Sequence, residues 1–173
     1  MKARLLALVV ITALPLVGFD CIVSPFTVSI NLDPLNGTYP IKPGATKYAD
    51  SVIVNPGSLY NTSYELTGAS VYDIKVSTSG RSNLGPCSGT IFVNGDTLLT
   101  FKGNWTDFST PQSLLTSALM TRNAAGVTQL VNAVLSSQPV KLRAVGAVTN
   151  PLAGLNTDFV TVSAYVQAYG QLK

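Results

Sequence analysis

Thr90-Ile91-Phe92-Val93-Asn94-Gly95-Asp96-Thr97-Leu98-Leu99-Thr100-Phe101 is the stretch from which the fold can be read. Two runs rich in β-branched and aromatic residues flank Asn94-Gly95. Asn-Gly accepts the positive φ angles of a type I′ turn, whose twist matches a pair of antiparallel strands. The stretch therefore predicts a β-hairpin.

Strand signals continue on both sides of it. Phe26, Val28, Ile30 and Leu32 alternate with Thr27, Ser29 and Asn31, the period-two pattern of a half-buried strand. Asp33-Pro34-Leu35-Asn36-Gly37 then carries turn chemistry. Val52, Ile53 and Val54 predict a short strand stopped by Asn55-Pro56-Gly57. Tyr72, Ile74 and Val76 alternate with Val71, Asp73, Lys75 and Ser77. Near the C-terminal side, Val140, Leu142, Ala144 and Val148 mark one strand. Val160, Val162, Ala164, Val166 and Ala168 mark the inner face of another, whose outer face carries Phe159, Thr161, Ser163, Tyr165, Gln167 and Tyr169.

One helical excursion interrupts the series. Thr110-Pro111 reads as an N-cap and first helical residue. Val127, Leu130, Val131, Val134 and Leu135 then form an apolar stripe at helical spacing, ended by Gln138-Pro139. That helix is expected to pack on a sheet. Its polar face lacks the Lys and Arg of a membrane-surface helix. The sum is a mainly β fold: an antiparallel β-sandwich of about seven strands with one helical insertion over about 111–137. A parallel doubly wound sheet would need helices between successive strands, and they are missing.

Residues 1–18 carry Lys2 and Arg4 ahead of an apolar run from Leu5 to about Val17. That is a basic region and a hydrophobic core too short, at roughly 13 residues, to span a bilayer comfortably. Leu16 and Gly18 suit signal-peptidase cleavage before Phe19. The expected organisation is a signal peptide over 1–18 and a single β-sandwich domain over 19–173, with no transmembrane span left after cleavage. Loss of Lys2 and Arg4 takes the net charge from +3 to about +1.

Cys21 and Cys87 are the two cysteines. In an exported chain they most simply form one disulfide, closing a loop of about 65 residues at roughly 4 kcal/mol on the chain-entropy argument. The alternative is acylation of Cys21 as a lipid anchor, although Asp20 is not the small residue that such a site wants.

Charged residues make up 11% of the 173, less than half of the roughly 25% usual in soluble domains. The absence of His removes His acid–base catalysis, His-activated nucleophiles and His metal sites. Asp33, Asp50, Asp73, Asp96, Asp107, Asp158 and Glu65 remain, mostly beside turn residues where Asp bonds its own backbone. Ser-x-x-Lys, Gly-x-Ser-x-Gly, P-loop and dinucleotide motifs are missing. The basic residues stand singly, with Lys141 and Arg143 the closest pair, so the sequence lacks the basic stripe that nucleic-acid binding requires. Asn36, Asn61 and Asn104 head N-glycosylation acceptor patterns.

These features predict an exported, non-enzymatic structural or interaction protein. Its place is secreted, on a cell surface or in a periplasm, and it needs no cofactor or metal. Its partner would be another protein or a copy of itself. The candidate surface is Phe159, Tyr165 and Tyr169, with Trp105, the lone tryptophan, either as a further ring or as a plug of the core at the end of its strand. The alternative is a carbohydrate- or amphiphile-binding surface module, or a lipid-anchored lipoprotein of the same fold.

Overall fold

Asn94 and Gly95 sit at φ 50° and 104°, the left-handed region that the turn demands. They join β5 (Pro86–Val93) to β6 (Asp96–Asn104) as the expected hairpin. The computed structural model describes residues 27–56, 64–80, 84–149 and 157–172. Before the hairpin come β1 (Thr27–Asn31), β2 (Leu35–Ile41), β3 (Lys47–Val54) and β4 (Tyr64–Ser79). After it come the short β7 (Gln112–Ser113) and β8 (Met120–Arg122), helix α1 (Ala124–Leu135), β9 (Val140–Val148) and β10 (Asp158–Leu172). Two of the ten strands are only two and three residues long, which is why the expected number was nearer seven.

All the pairings are antiparallel. The first sheet runs β1-β10-β4-β7, with β2 also on β10; the second runs β3-β9-β5-β6-β8. β1 and β2 share one edge of β10: β2 pairs with 158–164 and β1 with 167–171. From β2 onward the chain passes back and forth between the sheets, β2 and β4 in one, β3 and β5 in the other. β7 and β10 then return to the first while β6, β8 and β9 stay in the second. That alternation is the jelly-roll form of the β-sandwich.

One apolar cluster fills the interior, contributed by both sheets and the helix. Leu35, Tyr39, Ile74, Val76, Ile91, Leu99, Leu142 and Val162 are essentially inaccessible, and each such aliphatic side chain contributes roughly 1.5–3 kcal/mol on burial.

The helix begins later than the sequence suggests. Asn123, not Thr110, is the N-cap; its Oδ1 accepts the Ala125 N–H at 2.9 Å. Residues 105–108 form a 3₁₀ turn and 112–113 a strand, so the helical part of the 111–137 insertion is confined to 124–135. Thr110 and Pro111 start no helix because Gln112 pairs with Val76 of β4 instead. Val127, Leu130, Ala133 and Val134 are buried against β4, β5 and β6. Gly126 makes that approach possible. A Cβ there would lie 2.5 Å from Leu98 Cα and nearer still to the Thr97 carbonyl.

Two further readings are corrected. Residues 35–37 are not turn but the start of β2, because Leu35 to Ile41 complete the ladder on β10. In β4 the pairing jumps from Val71 opposite Val166 to Asp73 opposite Tyr165, a bulge at Tyr72. Val71 therefore joins Ile74 and Val76 in the core while Tyr72 is exposed. Among the described residues, no helix is long and apolar enough to cross a membrane.

Candidate functional site

β10 lies at the centre of the first sheet, and strict alternation sorts its side chains. Val160, Val162, Ala164, Val166 and Ala168 are buried, whereas Phe159, Thr161, Ser163, Tyr165, Gln167 and Tyr169 stand half-buried on the outer face. The structure thus places Phe159, Tyr165 and Tyr169 on one surface. They do not form one compact platform. Phe159 and Tyr165 are six positions apart, about 20 Å of strand, and Tyr165 and Tyr169 four positions apart, about 13 Å.

The densest part of this face surrounds Tyr165. The bulge at Tyr72 turns that ring outward, with its centroid 5.9 Å from the centroid of Tyr165 at 51°. Lys75 stands opposite Ser163 and carries its Nζ 4.9 Å from the Tyr165 centroid, a cation–π arrangement. Further along, the Tyr169 hydroxyl donates to Gln167 Oε1 at 2.9 Å, and Gln167 Nε2 donates to Asn31 Oδ1 at 3.3 Å. Thr38 and Thr161 share a hydrogen bond at 3.3 Å between their hydroxyls. Neighbouring strands therefore hold these side chains in place.

Trp105 does not belong to this surface. It is 4% exposed in the 3₁₀ turn, where its backbone N–H donates to the Gly85 carbonyl at 2.8 Å and its own carbonyl accepts from Thr78 Oγ1 at 2.8 Å. Its neighbour Phe108 is buried edge-on against Phe101, the centroids 5.3 Å apart. All three rings belong to the core cluster, where an indole gains more from burial than from water.

Cys87 is a free, buried thiol on the inner face of β5. Burial, aided by the charge of Asp107, pushes its pKa up to about 11. Cys21 lies outside the described residues, so the expected Cys21–Cys87 bond is not formed in the structure and its partner is not placed. Tyr48, whose hydroxyl donates to the Ser88 carbonyl at 3.3 Å, and Tyr39 are likewise raised by burial.

The carboxylates serve local structure. Asp73 Oδ1 accepts from Ser113 Oγ at 2.8 Å and from the Ile74 N–H at 2.8 Å. Asp107 accepts from the Asn104 N–H at 2.7 Å. Asp50 sits within β3 rather than in a turn, and Asp73 lies in β4, in the strand expected of it. Among the described residues, no three metal-binding side chains gather. Asn36 and Asn104 are exposed; Asn61 lies outside the described residues.

Sequence reasoning missed Tyr72 and Lys75 as members of the face. Their alternation was visible. The bulge and the register against β10, which bring them to Tyr165, were not.

No protein-family profile matches the sequence, and no curated protein matches it. Among solved structures, the chain is similar to one from Desmodium yellow mottle tymovirus, at 14% identity, covering 86% of this chain and 90% of that one with a TM-score of 0.34. It is similar to the decameric BFDV capsid protein at 11% identity, over 83% and 99% of the two chains, with a TM-score of 0.36. A structure of Cocksfoot mottle virus gives 14% identity over 85% and 96%, with a TM-score of 0.34. The jelly-roll assignment rests on the strand order itself.

Proposed function

We propose that this protein is an exported, non-enzymatic structural protein that associates with copies of itself through the tyrosine face of β10. The observation that carries this reading is the Tyr72–Tyr165–Lys75 cluster. It offers two rings and an ammonium on two paired strands, β4 and β10, with Tyr72 45% exposed. Tyrosine supplies a large amphipathic contact at low cost in conformational entropy, and aromatic side chains are enriched where proteins meet. A chain that is only 11% charged also has little electrostatic self-repulsion to overcome. Export rests on the leader read in residues 1–18, and the soluble form on Cys21 pairing with Cys87 rather than taking a lipid.

Sedimentation velocity over a wide concentration range tests the association. The wild-type protein is expected to form concentration-dependent oligomers. Tyr72→Ser with Tyr165→Ser should weaken them by about 30-fold or more, the scale of a lost hot spot, without moving the thermal midpoint. A protein monomeric throughout, or a double variant that assembles like the wild type, would overturn the reading. The tilted ring pair also suits a neutral sugar, which is the second reading; a glycan array on a monomeric protein would select it.

A further inference from the structure

The basic residues that stand singly in the sequence do not stand singly in the fold. Lys47 of β3, Lys141 and Arg143 of β9 and Lys102 of β6 are all exposed. Their register places them on the outer face of the second sheet. Lys47 opposes Ala147, Ala147 opposes Ser88, and Ser88 opposes Lys102, a single row across four strands. That row spans about 14 Å at the ordinary interstrand spacing. Lys141 and Arg143 follow along β9 at about 6.7 Å from each other.

The carboxylates of this sheet are turned elsewhere by the same register. Asp50 opposes the buried Ala144 and Asp96 opposes the buried Val93, so both belong to the inner rows. Asp107 is tied to the Asn104 N–H beyond the end of β6. None of the four cations has an ion-pair partner among the described residues. Lys102 borders a groove of about 820 Å³ whose walls include Ser88, Thr90, Thr100, Leu119, Thr121 and Val145, and Lys141 and Arg143 border a second of about 470 Å³ beside Phe92.

We propose that this outer face binds an acidic polysaccharide. Its sulfate or carboxylate groups meet Lys47, Lys102, Lys141 and Arg143, and its hydroxyls meet the row Thr90, Thr100 and Thr121, which are cross-strand partners. Charge selects an anion: two copies of a one-signed face repel each other, so self-stacking is the wrong occupant. The floor selects among anions. Single-stranded nucleic acid wants several open rings to stack its bases on, and the ring that this face supplies, Phe92, already has Arg143 over it at 5.8 Å. A bilayer wants several apolar side chains that insert together, whereas among the described residues this face exposes a single large one, Ile53 opposite Lys141, beside a row of threonine hydroxyls. The proposal is independent of the tyrosine face, which lies on the other sheet.

The test is fluorescence polarisation with a labelled heparin fragment at low salt. Neutral dextran, a single-stranded oligonucleotide and phosphatidylserine vesicles serve as the competing classes. The expected result is binding to heparin that falls steeply with salt, with no binding to dextran. Lys102→Gln and Arg143→Gln should each weaken it roughly fivefold, and the fourfold glutamine variant should lose it. Lys42→Gln, in the β2–β3 connection, should change nothing. These positions are exposed, so an unchanged thermal midpoint confirms that the variants fold. Heparin binding no better than dextran, a fourfold variant that binds like wild type, or tighter binding to the oligonucleotide or the vesicles would each overturn the proposal.

Discussion

Replacing Gly126 with alanine sets two effects of opposite sign against each other. Within a helix, alanine is favoured over glycine by about 0.8–1.0 kcal/mol, so propensity alone makes Gly126→Ala stabilising. Packing opposes it. The new Cβ would lie 2.5 Å from both Leu98 N and Leu98 Cα and closer to the Thr97 carbonyl. These are backbone atoms of β6, where Leu98 bulges between the paired Thr97 and Leu99 and its carbonyl accepts the Asn123 N–H at 2.9 Å, and they cannot swing away as a side chain would. The helix must lift, loosening Val127, Leu130 and Val134, which are buried beneath it. Overpacking of this kind costs about 1–3 kcal/mol, and a backbone obstacle puts it at or above the upper end. After the propensity gain the expected loss is about 2 kcal/mol, or roughly 4–8 °C in Tm for a chain of this size. Thermal and urea unfolding followed by circular dichroism measures it. Thr128→Ala, exposed on the same helix, is the control and should gain a few tenths of a kcal/mol. A Gly126→Ala protein as stable as the wild type, or more so, would show that the helix does not sit against β6 as described.

Two other outcomes are expected. In the reduced protein, where Cys87 is a thiol, its pKa is raised from 9.0 to about 11 on folding, so it binds its proton more tightly in the folded state. Its contribution is therefore complete below about pH 9 and is lost as pH climbs towards 11, up to roughly 2.7 kcal/mol. Tyr39 and Tyr48, raised by burial, act with the same sign above about pH 10. Urea unfolding at about pH 8 and again near 10.5 should show the fall, and a flat profile would contradict the burial of all three. Asn94→Ala should lose about 1–2 kcal/mol, because Asn94 holds φ 50° and its Oδ1 accepts the Lys141 N–H at 2.9 Å, while alanine tolerates neither loss well. Asn94→Gly, which keeps the backbone freedom, should recover part of it in the same thermal assay; equal losses in the two variants would remove the backbone from the explanation.

Local chemistry in the sequence located what local chemistry determines. The Asn94-Gly95 hairpin, the buried stripe around Leu130 and the alternating faces of β10 each follow from a few neighbouring residues. β2 was hidden because Pro34 and Asn36-Gly37 resemble a turn, and only pairing with distant β10 makes them strand. The helix start was misplaced because Thr110-Pro111 is as good a local signal as Asn123. The tyrosine face was half legible: Tyr165 and Tyr169 declare themselves by alternation, but Tyr72 and Lys75 reach them through a bulge. Of the two places open to Trp105, a ligand-facing ring or a plug at the end of its strand, the structure takes the second. The basic face was illegible, since four cations spread from residue 47 to residue 143 meet through register alone.

The position of β10 has a consequence for how the molecule is made. β1 and β2 find their hydrogen-bonding neighbour in a strand synthesised more than a hundred residues later, as in the pairing of Thr27 with Gln171. Until that strand leaves the ribosome, β4 has only the two residues of β7 beside it, and the first layer cannot close. Pairings so remote in sequence assemble slowly. The first layer is therefore expected to stay open throughout translation, and the two-layer packing to form only once the last strand is free.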